Sequence, residues 1–208
     1  MHFMPFWFER AGKERTTKTD TKADGLAKVV NKSRRQIWWN WFRARLPVLF
    51  LLGLLLTVKP VWNLLGVPFL LLGNGLRAWA AGYIHKDRHL TTTGPYAFCR
   101  HPLYLGTFLS MVGICLLIGS WRAGVIFTLI FIAVYIPTIR QEETFMARAY
   151  GESYNEYKSK VPAFSPKIRM AKTEDFRHWS WKRLLLNEEH LTWAALVIFF
   201  LLALWLKR

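Results

Sequence analysis

The chain has 208 residues, is 52% hydrophobic and carries a formal net charge of +16. Its Leu, Val, Ile and Phe come in runs with Lys and Arg between them, which excludes an ordinary soluble domain and fits a small multi-pass membrane protein with basic loops. The basic residues flank apolar runs and form no reader motif, pointing to anionic lipid headgroups and away from nucleic acid, and Cys99 and Cys115 offer neither a disulfide framework nor a zinc site.

Residues 9–35 are polar and basic, with no apolar period, and read as a cytoplasmic or surface-lying segment. Trp38, Trp39 and Trp41, followed by Arg43 and Arg45, are residues suited to the headgroup layer. A first span is expected over 42–58, its uncharged part 46–58 short against the ~20 residues of a spanning helix, with Lys59-Pro60 as its break. The second, 61–84, is interrupted by Arg77, which must snorkel or line a polar cavity. Its Gly73-Asn74-Gly75 string suits close helix packing as well as it suits cofactor binding. The polar loop 85–100 carries the Thr91-Thr92-Thr93-Gly94-Pro95 turn.

The third span is expected over 103–119, a tight turn at Ser120-Trp121-Arg122, and the fourth span over 123–139. Residues 142–157 read as a helix with a weak point at Gly151, and the prolines of 161–166 require extended or turning backbone. A fifth, slightly short span covers 191–206. The fold class is therefore all-α, a membrane bundle of about five helices. Its organisation is a basic N-terminal segment (1–45), a membrane core (46–166), a polar linker (167–190) and an additional C-terminal helix (191–208). With the N-terminus inside, only Lys59, Arg122, Lys207 and Arg208 of the 29 Lys and Arg fall outside, so N-in and C-out is favoured.

This orientation puts two charged clusters at the cytoplasmic end of the hairpin formed by the third and fourth spans. Arg100-His101-Pro102 stands where a polar loop enters a helix. His101, preceding a proline, is expected outside the helix, with Pro102 in its first turn. The free N–H groups of that turn, with Arg100 and His101, make a site for an anion or carboxylate. Arg140-Gln141-Glu142-Glu143 stands where the hairpin's second helix returns to that same end, and Arg140 and Glu143 are spaced to pair along a helix. Glu143, Ala147, Tyr150, Tyr154 and Tyr157 share one face if the helix runs through Gly151. His85 and His89 lack a third ligand, so no metal site is expected; Cys99 beside Arg100 reads as an ordinary interfacial cysteine before an activated thiol.

Gly94-Pro95-Tyr96, the run from Arg100 to Gly106, Glu142-Glu143, Tyr150-Gly151, Tyr154, Tyr157 and Val161-Pro162 occur in that order. The string resembles the isoprenylcysteine carboxyl methyltransferase family and its wider relatives among phospholipid methyltransferases, over about residues 66–166. The resemblance implies S-adenosylmethionine as methyl donor, held at the cytoplasmic face. It implies a cofactor pocket of Tyr96, Arg100, His101, Pro102, Tyr104, Leu105, Gly106, Glu142 and Tyr154. It further implies that Arg140, Glu143 and Glu142 serve the reaction by shaping the pocket, orienting the acceptor or taking a proton. The acceptor would be a lipid or lipid-linked group, a prenylcysteine-like carboxylate first and a lipid amine second. Membrane sterol reductases share the Arg-His-Pro and Tyr-Gly features and use NADPH, but usually carry Asn where this chain has Leu103 and have more spans. A non-enzymatic membrane scaffold is the remaining alternative.

Overall fold

The computed structural model describes residues 45–57, 62–84, 90–166, 179–187 and 189–205. Trp38, Trp39, Trp41, Arg43, Lys59, Pro60, His85, His89, Lys207 and Arg208 lie outside the described residues, as does 167–178 of the polar linker. The chain divides into two compact units, Met1–Phe50 and Leu51–Arg208. Helix α1, Arg45–Thr57, is short and apolar. The candidate site and the helices that build it belong to the second unit.

Among the described residues every regular element is helical. Helix α2 is Gly66–Ala81, a 3₁₀ turn follows at Gly94–Ala97, and α3 is Pro102–Leu117. Helix α4, Trp121–Tyr150, is followed by α5, Glu152–Lys160, α6, Trp181–Leu186, and α7, Glu189–Trp205.

Helices α2 and α3 pack backbone against backbone. A Cβ on Gly66 would lie 2.2 Å from the Gly113 carbonyl, one on Gly73 2.5 Å from the Ser110 nitrogen, and one on Gly106 2.7 Å from the Gly73 carbonyl. Small residues two turns apart on each helix thus create a close approach with extensive van der Waals contact. Gly73 is a packing contact, while Gly75 faces open space.

The α3–α4 turn comes earlier than the sequence spacing suggested. Gly119 takes a positive φ of 72° and Ser120 is the N-cap, its hydroxyl accepting from Ala123 N at 3.4 Å. Trp121 and Arg122 consequently form the first helical turn instead of the connection. Helix α4 runs unbroken through Pro137 for 30 residues, about 45 Å at 1.5 Å per residue. Phe127, Phe131 and Tyr135, one turn apart on its buried side, form a ring ladder in which Phe131 and Tyr135 stack at 4.3 Å.

Gly151 ends α4 with φ 57° and ψ −128°, a conformation that L side chains rarely adopt. The expected helix over 142–157 is therefore two helices, and the single face through Tyr150, Tyr154 and Tyr157 does not form. The C-terminal end of α2 is capped from a distance. Trp179 Nε1 donates to Ala78 O, Asn187 Nδ2 to Ala81 O, and both Ser180 N and Arg183 donate to Gly82 O. These contacts satisfy carbonyls that a helix end leaves without partners.

One helix among the described residues, α4, is long and apolar enough to cross a membrane by length and composition; α1, α3 and α7 are apolar but shorter. Leu71 and Leu72 on α2, Val125, Ile126 and Leu129 on α4, and Val197, Ile198 and Leu201 on α7 are all exposed.

Candidate functional site

The two charged clusters meet. Pro102 at the first position of α3 fixes the helix start and leaves His101 as the N-cap, with φ −124° and ψ 58°, outside the helical region. Residues 99–101 lie against the segment after α5. Arg100 N donates to Pro162 O at 2.9 Å, His101 N to Ala163 O at 3.2 Å, and Cys99 Sγ to Ala163 O at 3.1 Å. Helix α4, which starts at Trp121, brings Glu142 and Glu143 back to the same end.

Glu143 is the hub. Its Oε1 accepts from Arg100 Nε at 2.9 Å and Nη2 at 2.5 Å and stands 3.3 Å from His101 Nε2, while Lys158 Nζ lies 2.8 Å from Oε2. Arg100 spends its remaining arm, Nη1, on backbone: Lys158 O at 3.0 Å and Val161 O. One guanidinium thus ties the start of α3, the far half of α4 and the end of α5. Burial pushes the Glu143 carboxyl up, but hydrogen bonds from His101, Lys158 and Arg100, with the Arg100 charge, outweigh it and hold the group well below the usual carboxylate range. Glu142, on the adjacent position, accepts from Tyr104 OH at 2.6 Å and stands 4.0 Å from His101 Nδ1. The anions expected at the start of α3 are the protein's own carboxylates.

An aromatic wall adjoins the charges. The Tyr104 ring stacks with His101 at 5.8 Å and meets Tyr135 edge-on at 5.2 Å. Phe164, from the segment after α5, meets Phe131 edge-on at 6.0 Å. Tyr157 OH donates to Tyr96 O at 2.6 Å, which holds α5 to the 3₁₀ turn. Burial pushes the Tyr154 hydroxyl up to about 12, with the Glu143 charge adding to it, and raises the Tyr96 and Tyr157 hydroxyls as well. Burial also pushes the Cys99 thiol up to about 11, which removes the thiolate that an activated cysteine needs.

Of the residues singled out from sequence, Arg100, His101, Tyr104, Glu142, Glu143 and Tyr154 come together. Pro102 is buried at the helix start and Tyr96 is tied in through its carbonyl. Leu105 is half-buried. Gly106 faces α2, where a Cβ would lie 2.6 Å from Arg77 Cγ. Arg140 departs from expectation: it is exposed and does not pair with Glu143, whose partners come from α3 and α5 instead. Lys158 was missed because its link to Glu143 crosses the Gly151 break, so helix spacing carried no signal. Among the described residues no group of three or more His, Cys, Asp or Glu is placed to hold a metal ion.

A family model described as phospholipid methyltransferase matches residues 47–153. The cobalt-zinc-cadmium resistance protein CzcN of Cupriavidus metallidurans is 35% identical over 160 residues, 72% of this chain and 71% of that protein. The nickel-cobalt-cadmium resistance protein NccN of Alcaligenes xylosoxydans xylosoxydans is 37% identical over 114 residues, 54% of this chain and 52% of that protein. Protein-S-isoprenylcysteine O-methyltransferase of Schizosaccharomyces pombe is 32% identical over 120 residues, 52% of this chain and 51% of that protein. The matches to the last two span about half of those relatives. No solved structure matches. The resemblance drawn from the Arg-His-Pro and Glu-Glu strings is borne out.

Proposed function

The chain belongs to the phospholipid methyltransferase family, and we propose that it is a multi-pass membrane enzyme that transfers a methyl group from S-adenosylmethionine to a hydrophobic or lipid-linked acceptor. The reading rests on one observation: Arg100, His101 and Tyr104 at the start of α3 face Glu142 and Glu143 of α4 across a single charged cluster. Five spans, with the N-terminus and this cluster on the cytoplasmic side, suit the charge distribution and the exposed leucine and valine surfaces of α2, α4 and α7. The C-terminal helix α7 is an addition to the methyltransferase core.

The residues present fit such a donor. Two carboxylates beside stacked rings suit a sulfonium and an adenosine, and Arg100 and the half-exposed Lys158 suit a carboxylate. Tyr96, Arg100, His101, Pro102, Tyr104, Leu105, Glu142 and Tyr154 would form the surrounding pocket, with Gly106 setting the helix spacing behind it. When bound, S-adenosylmethionine supplies an electrophilic methyl carbon. Such a displacement needs alignment more than covalent help, and a fixed charged frame supplies alignment.

The state of Glu143 bears on the acceptor. Engaged by Arg100, His101 and Lys158 and held below the usual carboxylate range, it is a poor proton acceptor. Its role is to hold Arg100 and the α5 segment in place. A carboxylate acceptor, already anionic, requires no base, and Arg140, exposed on the turn of α4 before Glu143, would attract one. For an amine acceptor Glu142, with its link to Tyr104, is the better base. The carboxylate reading is the one that asks least of Glu143. It agrees with the name of the Schizosaccharomyces pombe relative, an O-methyltransferase. Membranes containing the protein, incubated with methyl-labelled donor and fractionated, should yield base-labile label, as a methyl ester does. Base-stable label would move the assignment to N-methylation, and absence of incorporation into lipid or protein would remove the enzymatic reading.

A further inference from the structure

A second buried charged pair joins α2 to α7 and reaches α3 at Thr107. Arg77 Nε is 3.1 Å from Glu189 Oε2 and its Nη2 is 2.8 Å from Oε1, so guanidinium and carboxylate meet fork to fork. The Glu189 side chain is 3% exposed. Glu189 stands in the first turn of α7, the helix end that favours a carboxylate. Arg77 thus does not snorkel outward; it is neutralised by a helix more than a hundred residues away in sequence.

The pair does not stop at α2 and α7. Arg77 Nη1 donates to Thr107 Oγ1, and the Thr107 hydroxyl donates in turn to Leu103 O at 2.9 Å. Leu103 lies in the first turn of α3, between Pro102 and Tyr104. The stem of Arg77 also runs over Gly106. A hydrogen-bonded chain therefore links the Glu189 carboxylate, the guanidinium and the threonine hydroxyl to the turn that carries the candidate site. Arg77 is the common donor, to Glu189 on one side and to Thr107 on the other, and the Thr107 hydroxyl donates onward to Leu103 O. Helix α7 is held further at Thr192, whose Oγ1 accepts from Arg77 Nη2 at 3.4 Å, at the buried Phe199 and Ala203, and at Phe200, which meets Trp62 at 6.2 Å. Between lipid-facing helices, polar contacts of this kind determine register.

We propose that Glu189 is a positioning residue for the site: α7, which lies beyond the segment matched by the family model, sets the first turn of α3 through Arg77, Thr107 and Leu103. Glu189 touches neither donor nor acceptor under this assignment and acts through the backbone between His101 and Tyr104. The assignment deepens the methyltransferase reading and rests on it for its effect on donor binding, but not for its effect on α3 itself.

The test uses the full chain in detergent. The variants are Glu189→Met, which leaves Arg77 buried and unpaired, and the double variant Arg77→Met with Glu189→Met, which leaves no buried charge. Glu189→Met should lower the unfolding midpoint, and the double variant should recover most of it. Amide exchange over 102–107, measured without ligand, should accelerate at least tenfold in both. Affinity for S-adenosylhomocysteine should fall at least tenfold in both, with Glu189→Asp restoring part of it. Recovery of slow exchange and affinity together with the midpoint would reduce the pair to a fastener and overturn the assignment, as would wild-type exchange in Glu189→Met. Should the wild type bind no adenosyl compound, the donor reading falls and the exchange result alone decides the role of Glu189.

Discussion

The molecule contains two clusters of paired opposite charges, each hydrogen-bonded to α3, one through Tyr104 and one through Thr107, and they are built to different ends. At Arg77–Glu189 one guanidinium meets one carboxylate, both largely buried, and the remaining donor goes to threonine. The pair is electrically closed. At Glu143 a single carboxylate gathers Arg100, His101 and Lys158; Lys158 is 49% exposed, and Glu142 stands alongside with its own partner in Tyr104. A closed pair fixes helices, whereas a cluster of several charges that includes a half-exposed cation is suited to receive a ligand.

This contrast is broken most severely at Arg100. Arg100→Ala removes both bonds to Glu143 and both backbone anchors at the end of α5, leaving a buried carboxylate short of partners. Its cost should be about 3–5 kcal/mol in denaturant stability and about 100-fold in donor affinity. Gly106→Val comes next, because its side chain would strike Arg77 Cγ and the Gly73 carbonyl. Overpacking of this kind costs about 1–3 kcal/mol. Thermal unfolding should show the loss, and equal stability would place Gly106 away from the α2 contact.

The acid limb separates the clusters by chemistry. The Glu143 carboxyl is lower in the folded protein than its ordinary value of 4.5. Its contribution is therefore fully present above about pH 4.5 and is lost as pH falls below that value. Glu143→Gln should be less stable at pH 7 and show a flatter stability profile below pH 4.5; parallel profiles for variant and wild type would contradict the assignment. Lys158→Ala should have the smallest effect. Half-exposed, its ion pair is screened by solvent, so a loss under about 1 kcal/mol is expected. Raised salt should erase most of that difference.

Much of the candidate site was legible in the sequence because its parts lie in short strings at helix ends. Arg100-His101-Pro102 encodes its own helix start, and adjacent carboxylates at 142–143 stand out after an apolar run. The partners were not legible. Arg140 and Glu143 have the spacing of a helical pair, yet burial turns Glu143 toward Arg100 while Arg140 stays exposed. Helix pairing rules describe neighbours along one element and are blind to the tertiary contact that outcompetes them. Gly151 was identified as a weak point, but only its positive φ reveals that α5 turns away and brings Lys158 back over Glu143. Arg77 advertised an unmet need for a counter-ion without indicating which of the acidic residues would supply it. By sequence Ser120 suits the connection as well as the cap, since a polar residue at a hairpin tip fits either place, and the structure makes it the cap.

The most direct measurement is calorimetry of S-adenosylhomocysteine binding to the purified chain in detergent, comparing the wild type with Arg100→Ala and with Gly75→Ala, which alters a glycine facing open space. One-to-one binding to the wild type and Gly75→Ala, lost in Arg100→Ala, is the expected result. Absence of binding to the wild type, or undiminished binding by Arg100→Ala, would contradict the assignment of the Arg100–Glu143 cluster as the methyl-donor pocket.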